Sequence, residues 1–204
     1  MAGIATIHTA GASRPYPGEA ANGDAWTVTW DGETCRITVI DALGHGPEAA
    51  AVAQRAHVAV EAEPQLDALE TLRLCQAVLS GTRGAAVSVA TVVPAQGQLT
   101  YAGIGNVEAQ VWHGAGRVRP ICYRGIVGVT QQRVRAEPVA LVPPWVLVMY
   151  TDGIRARFNL DDYPAAHRMA PQALADAILA AWARPTDDAT VVVAGAGAGS
   201  PPAP

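Results

Sequence analysis

From Ala25 to Trp30 the chain alternates apolar and polar residues, the two-residue period of a half-buried strand. Asp31-Gly32 follows, a strong hairpin signal, and Cys35 to Ile40 supplies the return strand. That strand ends at Asp41, where the turn Ala42-Leu43-Gly44-His45-Gly46 begins. Pro47 suits the first turn of a helix. The Ala-rich run Glu48 to Glu61 reads as that helix, and Leu66 to Leu79 carries apolar residues at helical spacing and predicts a second. The period then changes. Ala85 to Val93, Gln98 to Ala102 and Val107 to Trp112 read as strands, as do Val139 to Leu141 and Trp145 to Thr151. Pro171 to Trp182 predicts a third helix and Thr190 to Val193 a last strand. Residues 195–204, all Gly, Ala, Ser and Pro, are expected to form a disordered tail. Strands in hairpins and helices in blocks favour an α+β fold with largely antiparallel sheets covered by helices.

A chain of 204 residues, half of them hydrophobic and 16% charged, has the composition of one folded domain, here expected over residues 1–194. The formal charge of -4 gives no basic face for nucleic acid. All the basic side chains are Arg. Cys35, Cys75 and Cys122 are widely spaced and form no zinc motif, which fits reduced thiols. Met1 to Ala12 does not read as a signal peptide, and no apolar run approaches the ~18 residues of a membrane helix. A soluble, cytoplasmic protein without a membrane partner is expected.

The positions of the aspartates carry the chemistry. Asp24 precedes one strand and Asp41 ends another. Asp152 follows the apolar run Val146 to Tyr150, and Asp187-Asp188 precedes the last strand. Strand ends distant in sequence can meet at one sheet edge, and hard divalent cations take carboxylate, carbonyl and water oxygens. Two such ions ~4 Å apart can lower the pKa of a shared water and clamp a phosphoryl group. Each aspartate taken alone reads first as a turn residue whose side chain bonds nearby backbone.

In order along the chain stand Gly23-Asp24-Ala25, Asp41-Ala42-Leu43-Gly44-His45-Gly46, Gly103-Ile104-Gly105-Asn106, Thr151-Asp152-Gly153 and Asp187-Asp188-Ala189-Thr190. Together they resemble the metal-dependent protein phosphatase family, in its SpoIIE-like branch, and within it the RsbX-like phosphatases of stress-response modules. The resemblance spans about Gly23 to Val193. It implies a four-layer αββα sandwich with two manganese or magnesium ions at one edge. By position, Asp41 would bridge both ions, the backbone carbonyl of Ala42 would join it, Asp152 and Asp187 would hold one ion, and Asp24 would serve the other directly or through water. Asp41, Asp152 and Asp187 are then the catalytic set. The implied reaction is attack of a metal-activated water on phosphoserine or phosphothreonine, and the implied partner is a phosphorylated STAS-domain protein of a stress-signalling complex.

Two positions depart from the family pattern. Ala42 stands where relatives carry Gly, and a turn needing φ > 0 there would be strained by Ala. Leu43 stands where eukaryotic relatives place a His able to protonate the leaving group, leaving His45 as a turn or helix-entry residue. Arg14 and Arg83 read as exposed. These departures keep open a catalytically weak module of the same fold that binds a phosphoprotein. A small-molecule phosphomonoesterase is the other alternative.

Overall fold

The computed structural model describes residues 6–130 and 133–196. Its strands are β1 (His8–Arg14), β2 (Asp24–Asp31), β3 (Thr34–Ala42), β4 (Ala85–Val93), β5 (Gln98–Ile104), β6 (Glu108–His113), β7 (Gly116–Val118), β8 (Glu137–Ala140), β9 (Trp145–Tyr150) and β10 (Ala189–Ala196). The helices are α1 (Gly46–Glu61), α2 (Ala68–Val78) and α3 (Pro171–Trp182). Two five-stranded antiparallel sheets result, ordered β1-β10-β9-β6-β7 and β2-β3-β4-β5-β8.

Three buried clusters separate four layers, as expected of an αββα sandwich. Cys35, Ile37 and Val39 of β3 meet Leu147 and Met149 of β9 between the sheets. The opposite parity of β3, Ile40 and Ala42, turns outward onto Ala49, Ala53 and Val60 of α1 and Leu72 and Cys75 of α2. Val146, Val148 and Tyr150 of β9 face Leu174, Ala175 and Ile178 of α3. Strand β9 is therefore covered on both faces and flanked on both edges, which explains why all six residues from Trp145 to Tyr150 are buried and why the run is apolar throughout.

Helix α2 begins with a capping box, in which Asp67 accepts from the Glu70 backbone and Glu70 accepts from the Asp67 backbone. Such reciprocal capping satisfies two otherwise free donors. Arg36 points from β3 into the helix layer and is almost wholly buried. Its guanidinium donates to the carbonyls of Val60, Glu63 and Leu66 and to Thr71 Oγ1. The cation thus sits on the carbonyl-rich C-terminal end of α1, where the helix dipole favours positive charge.

Two strands lie where the sequence pattern indicates none, β1 and the short β7. Strand β10 runs to Ala196, so Gly195 and Ala196 are paired strand rather than tail; the rest of the expected tail lies outside the described residues. The three cysteines are free. Among the described residues no helix is long and apolar enough to cross a membrane.

Candidate metal-binding active site

Antiparallel pairing places Asp24 directly opposite Asp41 across β2 and β3. Asp41 shares the strand parity of Ile37 and Val39, which face the space between the sheets. From the other sheet, Thr151 N donates to Thr190 O and Thr190 N donates to Thr151 Oγ1. That pairing sets Asp152 beside the start of β10, next to Asp187 and Asp188. One hydrogen bond then joins the sheets: Thr151 Oγ1 donates to Asp24 Oδ2 at 2.8 Å.

Close backbone approach explains two glycines of the sequence motifs. A Cβ on Gly153 would stand 1.7 Å from the Asp188 carbonyl oxygen, and one on Gly23 would stand 2.8 Å from Asp188 Oδ2. The Asp152 turn can close on the Asp188 backbone only with Gly at 153, and a side chain at 23 would have to displace the Asp188 carboxylate.

The electrostatics mark one shared cluster. Desolvation, and after it the negative charges of Asp24, Asp152, Asp187 and Asp188, push the Asp41 carboxyl up to about 9. Asp24 is pushed up to about 7, chiefly by burial and also by Asp188 and Asp187, against hydrogen bonds from Thr151 and Thr190 that lower it. Asp187 is raised by desolvation and then by Asp152. Like charges at one edge with this effect on one another call for a cation. Asp41 Oδ2 and Asp188 Oδ2 are buried with no hydrogen-bond partner, and a buried unpartnered carboxylate oxygen is costly. Among the described residues no group of three His, Cys, Asp or Glu side chains is drawn close enough to hold a metal ion by itself. The oxygen-only donor set nonetheless fits magnesium or manganese, which keep several waters and use few carboxylates.

Every carboxylate singled out in the sequence lies at this edge, with differing surroundings. Asp24 is buried, 7% exposed, with one oxygen committed to Thr151. Asp152 Oδ2 accepts from Asn106 Nδ2 at 2.7 Å. Asp187 is half-buried. The sequence reading placed Asp188 among these aspartates but gave it no role; it is the more buried member of its doublet at 4% exposed, and its Oδ1 accepts from Tyr16 N at 2.8 Å. Its signal was its place as the residue immediately before β10. Asn106 was visible only as the end of a Gly-rich motif.

The structure corrects the expectation at Ala42. Among the described residues no residue other than Gly has positive φ, so the turn is unstrained. Ala42 is the last residue of β3, 1% exposed and packed in the helix-facing core. His45 occupies the N-cap position of α1 without a side-chain cap bond. It pairs with Glu19 and stacks on Tyr16 at 4.2 Å between ring centroids. Arg83 donates to the Leu43 carbonyl at 3.1 Å and pairs with Glu48, so it braces the turn after Asp41 rather than standing free. Arg14 ends β1 and donates to the carbonyls of Arg184 and Pro15.

Residues 31–196 match the family described as stage II sporulation protein E (SpoIIE). No curated protein matches the chain. A solved chain described under "The bacterial stressosome: a modular system that has been adapted to control secondary messenger signaling" is 27% identical, with TM-score 0.87, over 93% of this chain and 99% of that one. RsbX in complex with magnesium is similar at 19% identity and TM-score 0.75, over 94% of this chain and 96% of that one. The catalytic domain of the serine threonine protein phosphatase PstP, in complex with 2 manganese ions, is similar at 14% identity and TM-score 0.66, over 94% and 98%.

Proposed function

The chain belongs to the SpoIIE family of PP2C-like protein serine/threonine phosphatases, and on that premise we propose that it hydrolyses phosphoserine or phosphothreonine on a STAS-domain partner in stress signalling, in the cytoplasm. One observation carries the chemistry: Asp24, Asp41, Asp152, Asp187 and Asp188 gather at one edge, where burial and the neighbouring carboxylates oppose the ionisation of Asp24, Asp41 and Asp187. RsbX and PstP, which share the fold, are described with magnesium and with manganese, and the carboxylate set here suits the same ions.

Two bound ions would supply Lewis-acid polarisation of the phosphoryl oxygens and a water acidic enough to act as nucleophile near neutral pH. Asp41, Asp152 and Asp187 would hold those ions, and the Ala42 carbonyl would be a further oxygen donor. Asp24 fixes the spacing of the two sheets through Thr151. Asn106 orients the Asp152 carboxylate, and Asp188 anchors the loop that carries Tyr16. The stress-signalling partner is supported by the likeness to RsbX and to the stressosome chain.

The test is release of phosphate from a phosphorylated STAS-domain protein with added manganese or magnesium. We expect turnover that EDTA abolishes and either ion restores, with far slower hydrolysis of p-nitrophenyl phosphate. Full activity after chelation would overturn the two-ion reading. Equal rates on the two substrates would favour a small-molecule phosphomonoesterase, and binding without turnover would favour a phosphoprotein-binding module.

A further inference from the structure

A groove of about 530 Å³ opens between α2 and residues 133–135. Its apolar floor is Leu69, Leu72, Ile104 and Val134, and its rim carries Arg73, Arg133 and Arg135. In a chain of net charge -4 with 14 basic side chains, three arginines line this groove and no acidic residue does. Among the described residues none of the three has a carboxylate partner, and all three are exposed. Arg83 and Arg117, by contrast, pair with acids of the chain itself.

The groove opens on the helix-covered face of the sheet, at the same end of β3, β4 and β5 as Asp41, which faces between the sheets. Its floor residue Ile104 pairs with Val87 on β4, one position along from Ala86, which pairs with Asp41. Two strand spacings separate β5 from β3, roughly 10 Å. Gly105 and Asn106 continue from Ile104 to the hydrogen bond on Asp152. Backbone bonds from Gly105 N to Tyr123 O and from Tyr123 N to Gly103 O hold the neighbouring segment 119–130 against this end of the sheet.

We propose that this groove docks an acidic, amphipathic segment of the phosphoprotein substrate. Carboxylates of that segment meet Arg73, Arg133 and Arg135, and one or two of its aliphatic side chains cover Leu69, Leu72, Ile104 and Val134. Arginine forks bind carboxylates bidentately, and a floor of four apolar side chains adds contact that charge alone does not give. An extended chain covers ~3.3 Å per residue, so a phosphorylated residue about three to five positions from the docked segment reaches the carboxylate edge. The proposal rests on the phosphatase reading for its substrate, but the docking itself is measurable without turnover.

The test uses the full chain and three probes: a phosphothreonine peptide extended by alternating acidic and leucine residues, the same peptide with each acid replaced by glutamine, and p-nitrophenyl phosphate. In the wild-type protein the acidic extension should lower KM on the order of tenfold, the size expected of a few exposed charge pairs. The combined Arg73→Glu, Arg133→Glu and Arg135→Glu variant should lose that preference while its rate on p-nitrophenyl phosphate stays unchanged. The three Arg→Ala single variants give graded losses that no folding defect mimics. Equal KM for the two peptides, or a preference that survives charge reversal, overturns the proposal. If the wild-type protein turns over none of the probes, the phosphatase reading fails instead. Fluorescence anisotropy of the labelled, unphosphorylated acidic peptide then decides the groove: salt-sensitive binding lost on charge reversal supports it, and no binding overturns it. A change of oligomeric state in the variant with peptide binding intact would make the groove a self-interface and overturn the proposal.

Discussion

Asp41 Oδ2 is buried without a hydrogen-bond partner, and four other aspartates raise the cost of ionising its carboxyl. Such a group is stable as an anion only beside a cation. Asp41→Asn and Asp152→Asn should each lower manganese-dependent turnover by about 10²-fold or more and leave the circular dichroism spectrum unchanged, because neither position contributes to the hydrophobic core. His45→Ala should cost far less, since that ring is held by Glu19 and Tyr16. Asn106→Ala removes the donor that orients Asp152. Loss of such an outer-shell partner typically weakens metal affinity about 10–100-fold. Manganese titration by calorimetry should show that weakening in the variant, and unchanged affinity would remove Asn106 from the site. At Ala42 the strain that a positive φ would bring is absent, so Gly offers no relief there. The Ala42 methyl is buried. Ala42→Gly loses that burial, about 0.8 kcal/mol, and adds unfolded-state entropy of ~0.5–1 kcal/mol. Urea unfolding should show a loss of about 1–2 kcal/mol, with no gain in manganese half-saturation.

At the scale of elements, Arg36 fastens the helix layer to the sheet. Its four acceptors come from the end of α1, the α1–α2 connection and α2. Arg36→Met keeps much of the buried stem and removes every donor. Orphaned buried acceptors cost ~1–3 kcal/mol each, less where water can enter, so urea unfolding should report a loss of about 2–4 kcal/mol. A loss below about 0.5 kcal/mol would mean that water replaces the guanidinium freely. The sequence pattern had placed Arg36 in a strand but gave no sign that it points inward. Periodicity reports which residues are apolar, and a buried cation satisfied by carbonyls has no such signature. Strands β2, β4 and β9 and helix α3 were legible because their runs are long and strongly apolar or alternating. Strand β1, His-Thr-Ala-Gly-Ala-Ser-Arg, was not. It is an edge strand of small residues with low strand propensity, formed because β10 offers it seven paired positions. The carboxylates were legible as types at strand ends. Their convergence was not, because it depends on the Asp24–Asp41 register and on the Thr151 bridge between sheets.

At the scale of the whole molecule, the acidic edge couples stability, pH and metal. The Asp41 carboxyl titrates near 3.8 when unperturbed and at about 9 in the fold. A carboxyl raised by folding favours the native state at low pH, where it is protonated in both states, and that contribution is lost as pH rises from about 4 through 9. Asp24, pushed up to about 7, acts in the same direction over a narrower window. One such group changes stability by at most ~1.4 kcal/mol per pH unit. General acid unfolding acts in the opposite sense, so the informative quantity is a difference between proteins. In EDTA, the melting temperature of the wild-type chain should fall relative to Asp41→Asn as pH rises from 5 to 9, because asparagine cannot acquire the opposed charge. Added manganese should reverse the order at pH 8, since binding to the native state alone stabilises it and the variant binds poorly. Carboxylates must be deprotonated to hold a cation, so manganese binding should release protons, about one to two at pH 7 given Asp41 protonated and Asp24 near its midpoint. Calorimetry in buffers of different ionisation enthalpy counts them directly. No proton release at pH 7, together with parallel pH profiles for the two proteins in EDTA, would mean that Asp41 is already ionised in the metal-free fold and that another positive group of the chain balances the edge.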